Sequence, residues 1–312
     1  MSIVTKQNKF LFYLKGFSER FIPHRQLEEK ISGLRKKMSA DDMKTVEFRV
    51  DYYNKLVGAR KGDFNGTKVK DLLKPTTPKA YYFDTYEYAK YFDKNLLINY
   101  AFGDVNTILE KPSIAKSRPI AGDNSNNIIL NLDKARHFVS VKDDKSFESK
   151  KDLLIGRAAV HQQHRIDFFE KYFENPICDL GQVNAKGGKQ EWIKPKISIE
   201  EHLKYKFVLS LEGNDVATNL KWIMSSNSVA VTPSLKMETW YMEGTLVPNM
   251  HFVEIADDYS DLQEKINYYI DHPKEAEEII KNAKLHRSSF SNSAKEDLIA
   301  LLVLKKYFEL VK

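Results

Sequence analysis

The 312-residue chain has a single cysteine, Cys178. One thiol excludes an internal disulfide and a cysteine zinc cage, and agrees with a reducing compartment. Long hydrophobic runs are missing too. Phe10 to Leu14 stops at Lys15 with no small-residue cleavage site after it, and Leu298 to Leu304 is far too short to span a bilayer. The expectation is a soluble, cytoplasmic protein, at most peripheral on the inner face of the cytoplasmic membrane. Several signatures of chemistry are also lacking. Neither GxGxxG nor GxxxxGK[ST] occurs, which removes the main mark of dinucleotide and P-loop folds. No GxSxG elbow exists, so an α/β-hydrolase is disfavoured. His161 and His164 stand three apart without an HExxH spacing or a third ligand, so surface histidines are the better reading. No Asp-x-Asp triplet is available to hold a metal–diphosphate, and no metal is expected. RNA-binding and zinc-finger patterns are absent and the basic residues are scattered, which argues against nucleic acid.

What is present fits a globular protein of two domains. Hydrophobic residues make up 42% of the chain and charged residues 29%, against disorder, and the length exceeds what one core usually needs. A net charge of +6 and a pI near 9.0 favour an anionic partner: a nucleotide, a phosphorylated glycan or a membrane surface. Arg35-Lys36-Lys37 is a candidate docking patch for peripheral association with an anionic membrane, although a solvated helix face explains it equally well.

Alternating strands and helices predict an α/β fold. The first sixty residues read as helical, and a turn zone follows at Pro75 to Pro78. The aromatic stretch Tyr81 to Phe92 reads first as a helix with buried rings and only second as a stacking platform. Short apolar runs at Leu96 to Asn99, Ile128 to Leu132 and Phe138 to Val141 follow. Asp143 to Lys151 is polar and suits an interdomain connection. Beyond it, Leu153 to Ile155 reads as a strand and His164 to Phe173 as a helix. Ser198 with Glu201 caps a short helix.

Next comes the most informative unit. Phe207 to Leu211 is a strand, Glu212 to Asp215 a turn, Val216 to Ser226 a helix and Ser228 to Val231 a strand. Such an order places helix N-terminal N–H groups beyond a strand's carboxyl end, where α/β folds hold phosphates. Phe252 to Ile255 is a further strand. Ser260 with Gln263 caps a helix to Asp271, Pro273 opens another, and Ser293 with Glu296 opens the last. The domains expected are 1–145, 146–290 and a C-terminal helix, 291–312, packing back on the first.

Three features could carry chemistry. Lys116-Ser117-Arg118 places two cations beside Pro119. Arg157, after the strand, and Arg165, on the following helix, have forks that suit phosphate oxygens. Asp104, in the Gly103-Asp104 turn, is placed as a general base would be, though turn aspartates are common.

These segments together resemble glycosyltransferase family 90, with its protein O-glucosyltransferases and capsule-associated xylosyltransferases. The resemblance rests on Lys116 to Ile120, Arg136 to Phe138, Lys150 to Arg157, Cys178 to Gln182, Glu212 to Trp222, Ser228 to Val231 and Met250 to Leu262. It is nearest to the bacterial branch that extends the lipopolysaccharide inner core. It implies a GT-B-like fold, two Rossmann-like domains facing a cleft, with the acceptor on the N-terminal domain and a UDP-sugar on the C-terminal one. It also implies an inverting, metal-independent transfer of a hexose, glucose or galactose, without a cofactor.

Matched residue by residue, the family's catalytic aspartate falls on Asp104, where Phe102-Gly103 replaces an arginine context. Its diphosphate-binding arginine falls on Arg165. Arg157 matches the arginine of the preceding turn, with Ala158 in place of the usual glycine. A further family arginine falls on Asn219, a departure that Lys221, Lys116 or Arg118 would have to cover. Gly213, Asn214 and Thr218 would add neutral donors. The alternative is a catalytically silent nucleotide-sugar or glycan-binding protein.

Overall fold

A computed structural model of the chain describes residues 3–5, 14, 26–59, 66–72 and 79–311. Phe10 to Tyr13 of the first apolar run, the Arg60-Lys61 pair and the Pro75 to Pro78 turn zone lie outside the described residues. The strands in chain order begin with β1 (Ile3–Thr5), β2 (Thr67–Lys68), β3 (Leu97–Ile98), β4 (Tyr100–Ala101), β5 (Ser113–Ala115), β6 (Ser117–Pro119) and β7 (Asn127–Ile129). They continue with β8 (Ser140–Lys142), β9 (Lys151–Ala158), β10 (Cys178–Gln182), β11 (Tyr205–Leu209), β12 (Val229–Thr232), β13 (Met237–Thr239) and β14 (Val253–Glu254). The fold is mixed α/β with parallel sheets.

The chain divides into two units. Unit 1 takes Met1–Lys6, His137–Leu235 and Gly244–Ser289; unit 2 takes Gln7–Arg136, Lys236–Glu243 and Phe290–Lys312.

Unit 1 is built on an all-parallel sheet in the order β10-β9-β11-β12-β14. Every residue of β11 and β12 is buried, as strands covered on both faces must be, with Phe, Val and Leu in β11 and Val and Ala in β12. Phe168 and Phe169, from helix Gln163–Tyr172, join Leu154, Phe207, Val231 and Ile266 in the core. Gly156 lets the neighbouring strands pack closely on β9: a Cβ there would lie 2.9 Å from Leu180 Cδ2 and 3.0 Å from Leu209 Cδ2, so those leucines would have to shift. The first strand of this sheet in sequence, β9, lies between the second and the third. Chain progression therefore reverses between β9 and β11, and the crevice beyond their carboxyl ends is where such sheets take ligands.

The helix expected over Val216 to Ser226 is not formed. Only Leu220–Ile223 is helical, and 210–219 is an irregular loop. The reason is local competition for backbone groups. The Asn219 amide donates to the carbonyl of Leu209 at 2.8 Å, and Gly213 N–H bonds forward to Asp215 O at 3.0 Å. A single turn has too few aligned peptides for a macrodipole, so that expected source of phosphate binding is withdrawn.

Other ends shift by a residue. Helix Ser293–Leu310 is capped by Asn292, whose side chain accepts from Lys295 N–H, and helix Leu262–Asp271 follows Asp261, which makes no side-chain cap bond. Ser198 does cap Ile199–His202, and Pro273 does open Pro273–Ser288.

In unit 2, helix Ser293–Leu310 buries Leu298, Leu301, Leu304 and Tyr307 and packs on helix Ala40–Tyr53. Helix Lys79–Ala89 opens the aromatic stretch, and Tyr81, Phe83 and Tyr88 are buried, as the core reading expected. Three parallel strands, β4-β5-β7, form its small sheet, while β6 pairs antiparallel with β13 from the Lys236–Glu243 excursion.

An ion pair joins the outlying segments. Arg49 Nη1 and Nη2 donate to the two Glu296 oxygens at 2.5 and 2.8 Å, and Trp240 Nε1 donates to the same carboxylate at 2.5 Å. Tyr53 stacks on Trp240 with centroids 4.0 Å apart. Removing one partner leaves a buried charge uncompensated. Glu296→Ala is therefore expected to destabilise the protein by about 3–5 kcal/mol, read from the urea unfolding midpoint. A loss below about 1 kcal/mol, the level of an exposed pair, would show that the pair is not structural.

Candidate active site

Asp104 follows Gly103, whose φ of +109° belongs to glycine, so the turn can present the carboxylate outward. Phe102, just before it, is stacked between Tyr81 and Tyr100, at centroid distances of 5.5 and 4.3 Å. Ser117 of β6 fastens the other side. Its hydroxyl accepts from Val105 N–H at 3.1 Å and donates to Val105 O at 3.0 Å. The carboxylate itself is one-third accessible (33%) and pairs with Lys116 Nζ at 2.6 Å. Lys116 itself is buried. Arg136 Nη2 approaches the same oxygen at 3.8 Å. Burial raises the nearby Tyr81 hydroxyl above its ordinary pKa.

Two proposed donor-binding cations are thereby relocated. Lys116 is the partner of Asp104 in unit 2. Arg118 is buried in the same unit, donating to Glu238 Oε1 at 2.7 Å and to the carbonyls of Tyr52, Tyr53 and Asn127. Its guanidinium stabilises the segment around β6 and β13.

Unit 1 carries a cavity of about 300 Å³ at the reversal point of its sheet, lined among others by Arg157, Ala159, Arg165, Thr218, Asn219 and Trp222. Arg165 stands in the first turn of helix Gln163–Tyr172. Its Nε, Nη1 and Nη2 donate to the carbonyls of Glu212, Ala159 and Leu211 at 2.9, 2.8 and 2.8 Å. Burial lowers its pKa from the usual value. Of five N–H bonds on a guanidinium these contacts engage three, so the side chain can tie the two loops together and still donate to a ligand. His164 likewise meets Glu212 O at 2.9 Å.

Arg157 is held by Asp179, with Nη2 at 2.9 Å from Oδ1, and its Nε is buried without a hydrogen-bond partner. Asn219, where the resemblance implies an arginine, accepts from Ser210 Oγ at 3.2 Å. Asn214 accepts from Gln162 Nε2 at 3.2 Å. Gly213 borders Arg165: a Cβ there would lie 3.4 Å from Nη2. Lys221 is fully buried on the one-turn helix and does not line the cavity. The structure thus gathers Arg157, Arg165, Thr218 and Asn219 at one cavity, and Asp104 with Lys116 at another place. Among the described residues, no group of three or more His, Cys, Asp or Glu side chains is arranged to hold a metal ion.

Arg136 is the residue that sequence alone does not single out. Its only signal is its position in the Arg136 to Phe138 stretch, and its proximity to Asp104 depends on the fold.

One unit thus carries a parallel sheet with a cavity at its reversal point, and the other a paired carboxylate on a turn. Comparison with known proteins defines the class. The family model described as "Glycosyl transferase family 90" matches residues 143–311. The "O-glucosyltransferase LpsA" of Dichelobacter nodosus is 39% identical over 308 residues, covering 98% of this chain and 96% of that protein. "Protein O-glucosyltransferase 2" of Danio rerio is 33% identical over 84 residues, 27% of this chain and 16% of that one. The protein is a glycosyltransferase enzyme. The chain belongs to glycosyl transferase family 90.

Asp179 gives the unit 1 site a pH signature. Burial opposes its ionisation, but hydrogen bonds from Tyr205, Lys194 and Arg157 prevail and hold its pKa at about 2, against 3.8 unperturbed. A depressed acid stabilises the fold above its unfolded pKa and loses that contribution as pH falls through the folded value. Stability should therefore fall between about pH 4 and pH 2, and Asp179→Asn should flatten that part of the curve. Urea unfolding at several pH values reads it, and an identical slope in the variant counts against the assignment.

Proposed function

We propose that the protein is an inverting, metal-independent glycosyltransferase that moves a hexose from a UDP-sugar to the inner core of lipopolysaccharide, with Asp104 as general base. The observation that carries the reading is the outward carboxylate of Asp104, fixed by Lys116 on a turn braced from both sides. The GT-B-like architecture belongs to this proposal, with the donor on the unit that holds β9 to β12 and β14, and the acceptor on the unit that holds Asp104. The name of the Dichelobacter relative favours glucose over galactose as the sugar and lipopolysaccharide as the setting.

In the reaction, Asp104 takes the proton of an acceptor hydroxyl as its oxygen attacks the anomeric carbon from the face opposite UDP. The bond from that carbon to the diphosphate oxygen breaks, and an α-linked donor becomes a β-glycoside. Negative charge then grows on the leaving diphosphate. Arg165 is the cation placed for it, and the Thr218 hydroxyl is a neutral donor in the same cavity. No cofactor is required, because the donor brings its own leaving group.

The chain's surplus of positive charge suits an acceptor carried on an anionic membrane surface. Arg35, Lys36 and Lys37 are exposed at the end of helix Leu27–Arg35, and among the described residues no helix is long and apolar enough to cross a membrane. Peripheral association on the cytoplasmic side belongs to the same proposal.

A catalytically silent sugar-nucleotide binder is the second reading, favoured by one observation: the neutral Asn219 at the cavity where the resemblance implies an arginine. Turnover separates the two. Asp104→Asn is expected to reduce transfer about 10²–10⁴-fold while UDP affinity stays unchanged. Transfer at the wild-type rate would remove the base. Arg165→Ala should weaken UDP binding about 10–100-fold, as loss of a charge-assisted contact does, with some loss of stability at the carbonyls of Ala159 and Leu211. Calorimetry with UDP reads it, and an unaltered affinity would clear Arg165 of any donor role.

A further inference from the structure

Arg136 has no part in the reaction as set out above, yet its surroundings hold it against the base. It belongs to the turn Lys134–His137, entered through Asp133 at a φ of +55°. A non-glycine residue in the left-handed region is strained and persists only where neighbours enforce it. Here the enforcement comes from Lys134. Its N–H donates to Asp84 Oδ2 at 3.3 Å, and its ammonium pairs with Glu87 and lies 3.7 Å from buried Asp84. Lys134 is drawn inward, and Arg136, two residues on, is turned outward. Arg136 Nε pairs with Asp133 Oδ2 at 3.0 Å, and its backbone N–H donates to Asp133 O at 3.0 Å. The side chain is 52% exposed, with Nη2 at 3.8 Å from Asp104 Oδ1.

That distance is too long for a hydrogen bond, whereas Lys116 already satisfies Asp104 at 2.6 Å. A second cation is not needed to keep the carboxylate ionised. An exposed guanidinium fixed beside a general base suits an anion that arrives with the substrate, since its fork matches phosphate and carboxylate oxygens. We propose that Arg136 is a specificity-determining residue that binds an anionic group, phosphate or carboxylate, on the acceptor glycan next to the hydroxyl that Asp104 deprotonates. The inference rests on the reading of Asp104 as the base. An acceptor with the right charge is seated with its hydroxyl at Asp104, and a neutral one is not.

The test uses the full-length protein, a UDP-sugar and deacylated lipopolysaccharide inner-core oligosaccharide in three forms: untreated, phosphatase-treated and carboxyl-reduced. kcat and KM are measured for wild type, Arg136→Gln and Arg136→Lys, and binding of the three glycans is measured by calorimetry on Asp104→Asn. Wild type should lose roughly 10–100-fold in kcat/KM on whichever treated form has lost the recognised group, which also tells phosphate from carboxylate. Arg136→Gln should show a comparable loss on the untreated glycan, mostly in KM, and no longer distinguish it from the treated forms. Arg136→Lys should restore part of the discrimination, and affinity for UDP should be unchanged throughout. Discrimination by Arg136→Gln at the wild-type ratio, or equal handling of all three glycans by wild type, overturns the inference. So does equal affinity of Asp104→Asn for all three, weak or strong. If Asp104→Asn instead turns over like wild type, the base assignment falls, and the charge discrimination is still decided by the Arg136 variants.

Discussion

Three backbone carbonyls beyond the carboxyl ends of β9 and β11 find their donors on one side chain. Strands stop there and the ladder ends, so side chains meet the carbonyls of Ala159, Leu211 and Glu212, the last also approached by His164 Nε2 at 2.9 Å. Arg165 meets all three, so the two loops that wall the cavity are set by a single guanidinium. A lysine could not do this, because one ammonium at the end of a flexible stem cannot reach three divergent acceptors in a plane. The short helix Leu220–Ile223 and Asn219 then close the far side. The shape of the cavity thus depends on a residue that also faces its contents.

Unit 2 handles charge differently. Arg49 and Glu296, Arg118 and Glu238, and Lys134 with Asp84 and Glu87 all lie inside it, each cation matched to carboxylate. Such pairs add little net stability over apolar packing, but they specify geometry because each partner must be met. In this setting Asp104 is the carboxylate that reaches the surface while its lysine stays inside. The same pairing habit that orders the interior therefore leaves a charged oxygen on a rigid turn.

Much of this organisation was legible in the residues. Apolar runs rich in Val, Ile, Leu and Phe placed β9, β11 and β12, because strands buried on both faces have little alternative. Ser198 and Pro273 marked helix starts through chemistry that depends on neighbours in sequence. Arg165 and Asn219 were matched to donor-site positions by the family resemblance, and the strands they follow prove adjacent. The Val216 to Ser226 helix was misread since periodicity does not show that an asparagine amide will claim a strand-end carbonyl. Lys116 and Arg118 look like surface cations in sequence, and their partners Asp104 and Glu238 are contributed by other segments. Arg136 was missed for the same reason. Local rules predicted elements, and long-range electrostatics decided what the charged residues do.

The loan of β13 to the other unit bears on how the molecule can be divided. Residues 143–311, which match the family model, take in all five strands of the unit 1 sheet together with β13 and the terminal helix of unit 2. A continuous fragment 137–289, cut to span the two long segments of unit 1, would still carry Met237–Thr239, now without β6 to pair with. It would expose the bare edge of a buried strand, an invitation to self-association. Dissection of this enzyme into separately expressed halves would therefore require that short ribbon to be replaced by a hydrophilic linker.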